Sequence, residues 1–270
     1  MQAALTQRRT SVNAALKAEA LLLSALGLEQ WQPPEALTYE RSASEVFGAG
    51  RLDAQFFQSK YADLAERLEA TGRAARLGDL LSRNERGKQP IYAEFGMPVV
   101  NSKHVMGGQV NITDDNRFGE ESTGVTIQNG DVVINGTGVG TIGRAAPYFH
   151  EPDALPDNHV TVLRPKLEAI DPVYLSVFLN SRLGQMQVDQ RLRGSSGQIE
   201  LYPADIAEFI IWDAPKETQD QIRQAVVDSF EAKRTSSQLL ETAKRAVEMA
   251  IEESEAAALA YLQAHAATPA

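Results

Sequence analysis

The residues most suggestive of chemistry are Gly138-Val139-Gly140-Thr141-Ile142-Gly143, which match G-x-G-x-x-G and follow the apolar run Val132-Val133-Ile134. In a nucleotide-binding fold such glycines let backbone amides approach a pyrophosphate at the start of a helix. The sequence downstream forbids that helix. Pro147 and Pro152 follow closely, and a proline inside a helix removes a hydrogen bond and clashes with the preceding turn. No acidic residue ends a following strand at the distance ribose recognition needs. The segment therefore reads as a glycine-rich turn between strands. Such a turn still brings backbone close to a ligand, and Arg144 beside it is placed to touch a phosphate.

Other catalytic patterns fail in similar ways. The four histidines, His104, His150, His159 and His265, show no i, i+4 spacing and no H-E-x-x-H, so no metal site is expected. The chain has no cysteine, which excludes disulfides, zinc–thiolate sites and thiol nucleophiles. Gly194-Ser195-Ser196-Gly197 is near a nucleophile elbow but lacks its strand-to-helix setting. No G-K-[ST] phosphate loop occurs. The Asn/Asp-Pro-Pro-aromatic motif of amino-methyltransferases is absent, the only adjacent prolines being Pro33 and Pro34. No cofactor and no catalysis by the chain itself are expected. The loop of Arg191, Arg193, Gly194, Ser195, Ser196, Gly197 and Gln198 is polar and basic, a composition suited to phosphate and base-edge contacts.

Helices and short strands must position these groups. Residues 3–26 read as one helix, with Leu5, Val12, Leu16, Leu23 and Leu26 at helical spacings and Gly27 as its stop. Residues 51–70 carry a second helical stripe of Leu52, Phe56, Tyr61, Leu64 and Leu68, closed by Gly72. From Arg76 onward, short β-type runs alternate with Gly, Asn and Asp turns, as expected of a compact irregular sheet domain. Residues 159–164 and 206–212 read as further strands. Asp171-Pro172 cap and open a helix over 173–183. Residues 217–264 read as one long helix striped by Ile222, Val226, Phe230, Leu240, Ala243, Val247, Ile251 and Ala258. About 45 residues of helix reach about 70 Å, too long to bury a stripe on a domain of this size. A partner helix is needed, from residues 3–26 or from another protein.

Charge bounds the partners. The 270-residue chain carries a net charge of −10, which by itself opposes nucleic-acid binding. The acid is unevenly placed. Residues 71–150 balance eight basic against eight acidic side chains, so a DNA-facing edge there is permitted. The apolar run over 18–23 is short and contains Glu19, and no stretch approaches a membrane span. A soluble cytoplasmic protein is expected, with no membrane partner.

Four segments, in order, resemble the specificity subunits of type I restriction–modification systems. Gly130-Asp131-Val132-Val133 with the glycines to 143 resembles a G-D-[ILV]-[ILV]-x(n)-G-x-x-G element. Residues 174–185, Tyr-Leu-Ser-Val-Phe-Leu-Asn-Ser-Arg-Leu-Gly-Gln, resemble Y-L-x-x-x-L-N-S-x-x-G-Q. Residues 194–206 resemble the G-S-x-x-x-x-L-x-x-x-x-I stretch that follows. Ile210 to Ile222 resembles I-x-x-P-P-x-x-x-Q-x-x-I, with Asp213-Ala214-Pro215 in place of a double proline. The matching spans 76–264, and residues 1–70 fit more loosely.

The resemblance implies an α/β (α+β) chain in which one irregular β-rich target-recognition domain, 40–214, is flanked by an N-terminal helix, 1–28, and a long C-terminal spacer helix, 215–265. It implies a subunit that reads one half of a split site on double-stranded DNA and docks methyltransferase subunits through its helices, with a restriction subunit joining the complex. With room for one reader, the chain is a half-subunit forming a homodimer through its helices, or part of a longer chain. Base-reading residues differ with each target and are not carried over. The polar and basic loop residues Arg86, Lys88, Asn101, Lys103, Arg117, Arg144, Arg193 and Ser195 are the DNA-binding candidates, Arg for guanine and Asn for adenine. A protein-interaction adaptor using the long helix explains the acidity better but not the ordered segments, and salt-sensitive DNA binding separates the two.

Overall fold

The structure, a computed structural model, describes residues 16–106, 108–112, 116–120, 124–194 and 199–265. The chain divides into two compact units, one Leu22–Asp220 and the other combining Met1–Leu21 with Gln221–Ala270. Helix α1 covers residues 16–25 of the expected 3–26. It stops at Gly27, whose φ of 66° is the left-handed region, while Leu28 N–H returns to Leu23 O at 2.8 Å. A short helix α2, Ala43–Ala49, opens on a Ser42/Glu45 capping box that the hydrophobic pattern does not announce. The expected 51–70 helix is shorter, α3 at Ser59–Glu69. Leu52 lies outside it and is exposed, whereas Tyr61, Leu64 and Leu68 are buried as the stripe requires.

The first unit is built on small sheets. Its strands are β1 (Ala74–Arg76), β2 (Leu81–Arg86), β3 (Tyr92–Ala93), β4 (Met97–Val100), β5 (Val105–Met106), β6 (Gln109–Val110), β7 (Phe118–Gly119), β8 (Val132–Asn135), β9 (Ala145–Pro147), β10 (Leu155–Pro156), β11 (Val160–Pro165) and β12 (Ile210–Trp212). The main sheet has the order β2-β11-β8-β9, all antiparallel. A second sheet runs β10-β4-β7-β3, and β1 pairs with β12. The turn glycines separate strands too short to be independently stable. Their stability comes from packing, and Val133, Ala146, Val160 and Val162 of the main sheet are buried with Val100, Val105, Val110, Ile127 and Tyr148.

Helices cover the other side of the main sheet. Asp171 caps α5 (Pro172–Asn180), its carboxylate accepting from Val173 N–H at 2.8 Å and Tyr174 N–H at 3.0 Å. The expected single helix over 173–183 is two, because Ser181 adopts an extended φ/ψ and α6 (Arg182–Arg191) starts afresh. Gly184 permits that corner: a Cβ there would lie 2.4 Å from Leu179 O. Asn180 faces the edge strand β9. Its Oδ1 accepts from Ala145 N–H at 3.0 Å and its Nδ2 donates to Ala145 O at 2.7 Å, so an edge that would otherwise offer open backbone groups is closed. A further helix, α7, spans Pro203–Ala207.

The other unit is helical. α8 runs Lys216–Glu252 and α9 Glu255–His265, so the expected single helix over 217–264 is broken at its far end. Acidic Glu252 and Glu253 crowd the negative end of α8, and Ser254 caps α9 by accepting from Ala257 N–H at 3.2 Å. The region 235–237 continues as helix. α9 turns back along α8, since Tyr261 lines one hollow with Glu241, Arg245 and Glu248. The buried positions are Ile222, Ala225, Ser229, Ala232 and Ala246 on α8 and Ala258 on α9, while Leu240, Val247 and Ile251 of the expected stripe are exposed. Small residues face inward because they let helices approach closely. Among the described residues, no helix is long and apolar enough to cross a membrane.

Candidate nucleic-acid interface

One end of the main sheet gathers most of the sequence-predicted residues. The antiparallel order places the C-terminal ends of β2 and β8 beside the N-terminal ends of β11 and β9. Backbone bonds carry the join past the strands: Gly87 N–H to Val160 O at 2.9 Å, Gly136 N–H to His159 O at 2.8 Å, and Gly143 N–H to Asn135 O at 2.9 Å. A tight helical turn over Ser102–His104 is tied on by the buried Asn135, whose Nδ2 donates to Ser102 O at 3.1 Å and Thr141 O at 3.2 Å. Asp157 N–H donates to Val100 O at 3.0 Å and Val99 N–H to Arg117 O at 2.8 Å, which sets the second sheet against the same end. The segment after α6 closes the rim through a two-bond pairing of Arg193 with Glu200.

The predicted residues divide into two groups here. Arg86 is consumed internally: its guanidinium donates to Glu200 at 3.1 Å, Leu201 O at 2.6 Å and Gly136 O at 3.4 Å, and lies over the Tyr202 ring at 5.2 Å. It ties three segments together. Arg193 is held bidentately by Asp205 at 2.7 and 2.6 Å. Asn101 caps the tight turn, its Oδ1 accepting from Lys103 N–H at 3.3 Å. Lys88, Lys103, Arg117 and Arg144 are exposed and form no ion pair among the described residues. Arg117 stacks over Tyr92 at 4.9 Å, which orders its guanidinium without neutralising it. Ser195 lies outside the described residues.

Other side chains enter this end that sequence reasoning did not single out. A groove of about 430 Å³ is lined by Ser102, Thr137, Gly138, Val139, His159, Ile199 and Glu200. Thr137 Oγ1 and His159 Nδ1 share a hydrogen bond at 2.6 Å. Bonds from the Tyr202 hydroxyl and then Arg86 hold the Glu200 carboxyl below its ordinary range. Asp157 is pushed the other way by burial. A histidine without a spaced partner and one acid among 36 carry no sequence signal; only folding brings them to the turn.

The segments that carry the family resemblance do structural work instead. Asp131 is buried and receives Arg164 Nε at 2.7 Å and Nη2 at 2.8 Å, with Gln128 N–H at 2.8 Å. Asn180 closes the β9 edge, and Gln185 Nε2 donates to Gly143 O at 3.0 Å and Leu179 O at 2.8 Å. Gln219 Oε1 accepts from Asp171 N–H at 2.9 Å while its Nε2 donates to Ala214 O at 2.9 Å, fixing the start of α8.

Several solved structures match this chain, two of them as follows. The chain is similar to the HsdS subunit from Thermoanaerobacter tengcongensis at 16% identity and a TM-score of 0.45, covering 96% of this chain and 52% of that one. It is similar at 16% identity and a TM-score of 0.46 to a chain from a study of complex assembly and conformational transition in a type I R-M system, covering 98% of this chain and 55% of that one. The chain thus spans about half the length of the structures it matches. No protein-family model and no curated protein matches it.

Proposed function

We propose that this chain is the sequence-specific DNA recognition subunit of a type I restriction–modification complex, reading one half of a split site. The observation that carries the reading is the sheet end itself. Lys88 follows β2, Lys103 sits in the Ser102–His104 turn, Arg117 precedes β7 and Arg144 separates the 138–143 glycine turn from β9, and all four are exposed and without an ion pair among the described residues. Phosphate contacts from such cations set register, and the turn between them meets base edges. The four ordered sequence segments support the same family. In this reading residues 40–214 recognise the target, while 1–28 and 215–265 serve as spacer and docking helices. Methyltransferase subunits dock there, a restriction subunit joins the complex, and a second copy pairs through the helices. Catalysis belongs to the partners, and the complex works in the cytoplasm. A symmetric pair copies its two-fold axis into a palindromic split site.

The deciding experiment is methylome sequencing of host cells with and without this reading frame beside its methyltransferase. Loss of a split methylation motif on deletion supports the role. Unchanged methylation from an active system refutes it.

A further inference from the structure

The 137–141 turn is pinned, and it ends in an apolar tip. Thr141 N–H and Ile142 N–H donate to Gly138 O at 3.1 and 3.0 Å. Gly138 and Gly140, at φ 106° and 73°, hold conformations that other residues rarely adopt. Between them Val139 is 84% exposed, an unusual place for a β-branched apolar side chain, and it shares the groove lining with Ile199. Across the groove stands Glu200, ionised and already bonded to Arg86 and Tyr202. A carboxylate offers about four acceptor positions, so capacity remains on the groove side. Arg86 offsets its negative charge, which lessens its repulsion of a phosphate backbone and leaves a hydrogen-bond acceptor.

We propose that this groove is a base-edge subsite, in which Glu200 accepts from the exocyclic amino group of a cytosine or adenine and Val139 lies against the C5 methyl of a neighbouring thymine. The assignment rests on the DNA-recognition role proposed above and specifies where in that site sequence is read. Acidic side chains accept from cytosine N4 and apolar ones meet the thymine methyl in the major groove. The backbone bridge between Thr137 and Glu200 holds the turn in register with Glu200, and the Thr137 hydroxyl is itself hydrogen-bonded to His159 Nδ1 at 2.6 Å.

The test is selection from a random-core double-stranded DNA library by the full chain with its methyltransferase, followed by sequencing of the bound fraction. Glu200→Gln shifts one position of the recovered motif toward adenine, which glutamine reads through N6 and N7, and lowers the original preference there roughly tenfold, leaving other positions unchanged. Val139→Ala abolishes a thymine preference nearby. The wild-type chain loses that same preference on a library with deoxyuridine in place of thymidine, which lacks only the methyl. Should Glu200→Gln disturb folding by freeing Arg86, the Val139→Ala and deoxyuridine arms decide alone, since so exposed a side chain supports no packing. Wild-type motifs from both variants overturn the subsite while leaving DNA recognition standing. No salt-sensitive binding and no motif from the wild-type chain overturns the recognition role itself.

Discussion

Identical-looking cations at the sheet end should behave differently toward DNA, and salt dependence measures the difference. Each phosphate neutralised contributes about −0.9 to the slope of log K against log salt concentration. Lys88, Lys103, Arg117 and Arg144 are exposed and form no ion pair among the described residues. If each meets one phosphate, the slope is about −3.6, and affinity falls about 150-fold between about 50 and 200 mM salt. Removing two of them, Lys103→Gln with Arg144→Gln, halves the slope to about −1.8 and reduces the loss over that range to about 12-fold. Arg193→Gln leaves the slope unchanged, because Asp205 already holds that guanidinium at 2.7 and 2.6 Å. The assay is fluorescence anisotropy of a labelled duplex at several salt concentrations, with the chain in the proposed methyltransferase complex. The reasoning is refuted if the double variant keeps the wild-type slope, or if Arg193→Gln flattens it.

Three further outcomes follow from the geometry. Asp131→Asn leaves the Arg164 guanidinium without its carboxylate; it costs about 3 kcal/mol and lowers the melting temperature by about 6–12 °C, measured by circular dichroism, whereas a drop under about 2 °C would mean that water replaces the pair. Burial raises the Asp157 carboxyl above its ordinary range, so the folded state holds that proton to higher pH than the unfolded chain and stability falls as pH rises through the folded value. Asp157→Asn keeps an acceptor for His159 N–H, bonded at 2.8 Å; it raises the melting temperature at neutral pH, and the gain shrinks as pH falls toward the ordinary carboxylate range, while a gain equal at all pH values would rule out the charge as its cause. Val247 and Ile251 are 60% and 80% exposed on α8, and Val247→Glu with Ile251→Glu converts the proposed helix-mediated dimer to a folded monomer in sedimentation velocity, with a native circular-dichroism spectrum and a melting temperature lowered only by the lost association; an unchanged dimer places the interface elsewhere.

Much of the local structure is legible in the residues. Gly27 stops a helix, Asp171-Pro172 opens one, and Val132 to Ile134 form the buried strand their composition suggests. Where reading failed, the cause was chain continuity. A helical stripe does not show that Ser181 or Ser254 restarts a helix, since serine inside a helix and serine capping one look alike until the backbone turns. Nor does the long stripe reveal which side is inward. Ala225, Ser229, Ala232 and Ala246 are buried where the stripe of larger side chains predicts an inward face, and only the packing of other elements on α8 decides that.

The sequence alone determines most element types and the exclusion of thiol and histidine-motif metal chemistry, since these depend on side chains and their near neighbours; the strand expected over 206–212 is the exception, because Pro203 opens α7 and strand begins only at Ile210. It also contains the frame in recognisable form: Asp131, Asn180, Gln185 and Gln219, all within the four ordered segments, each bond to backbone or to a charged side chain. Which cations face solvent was decided only by the tertiary structure. Arg86 and Lys88 are nearly adjacent, yet one is bound to Glu200, 114 residues away, and the other is open. Ion pairing depends on distance in space, and a partner that remote along the chain leaves no mark on the residues beside it.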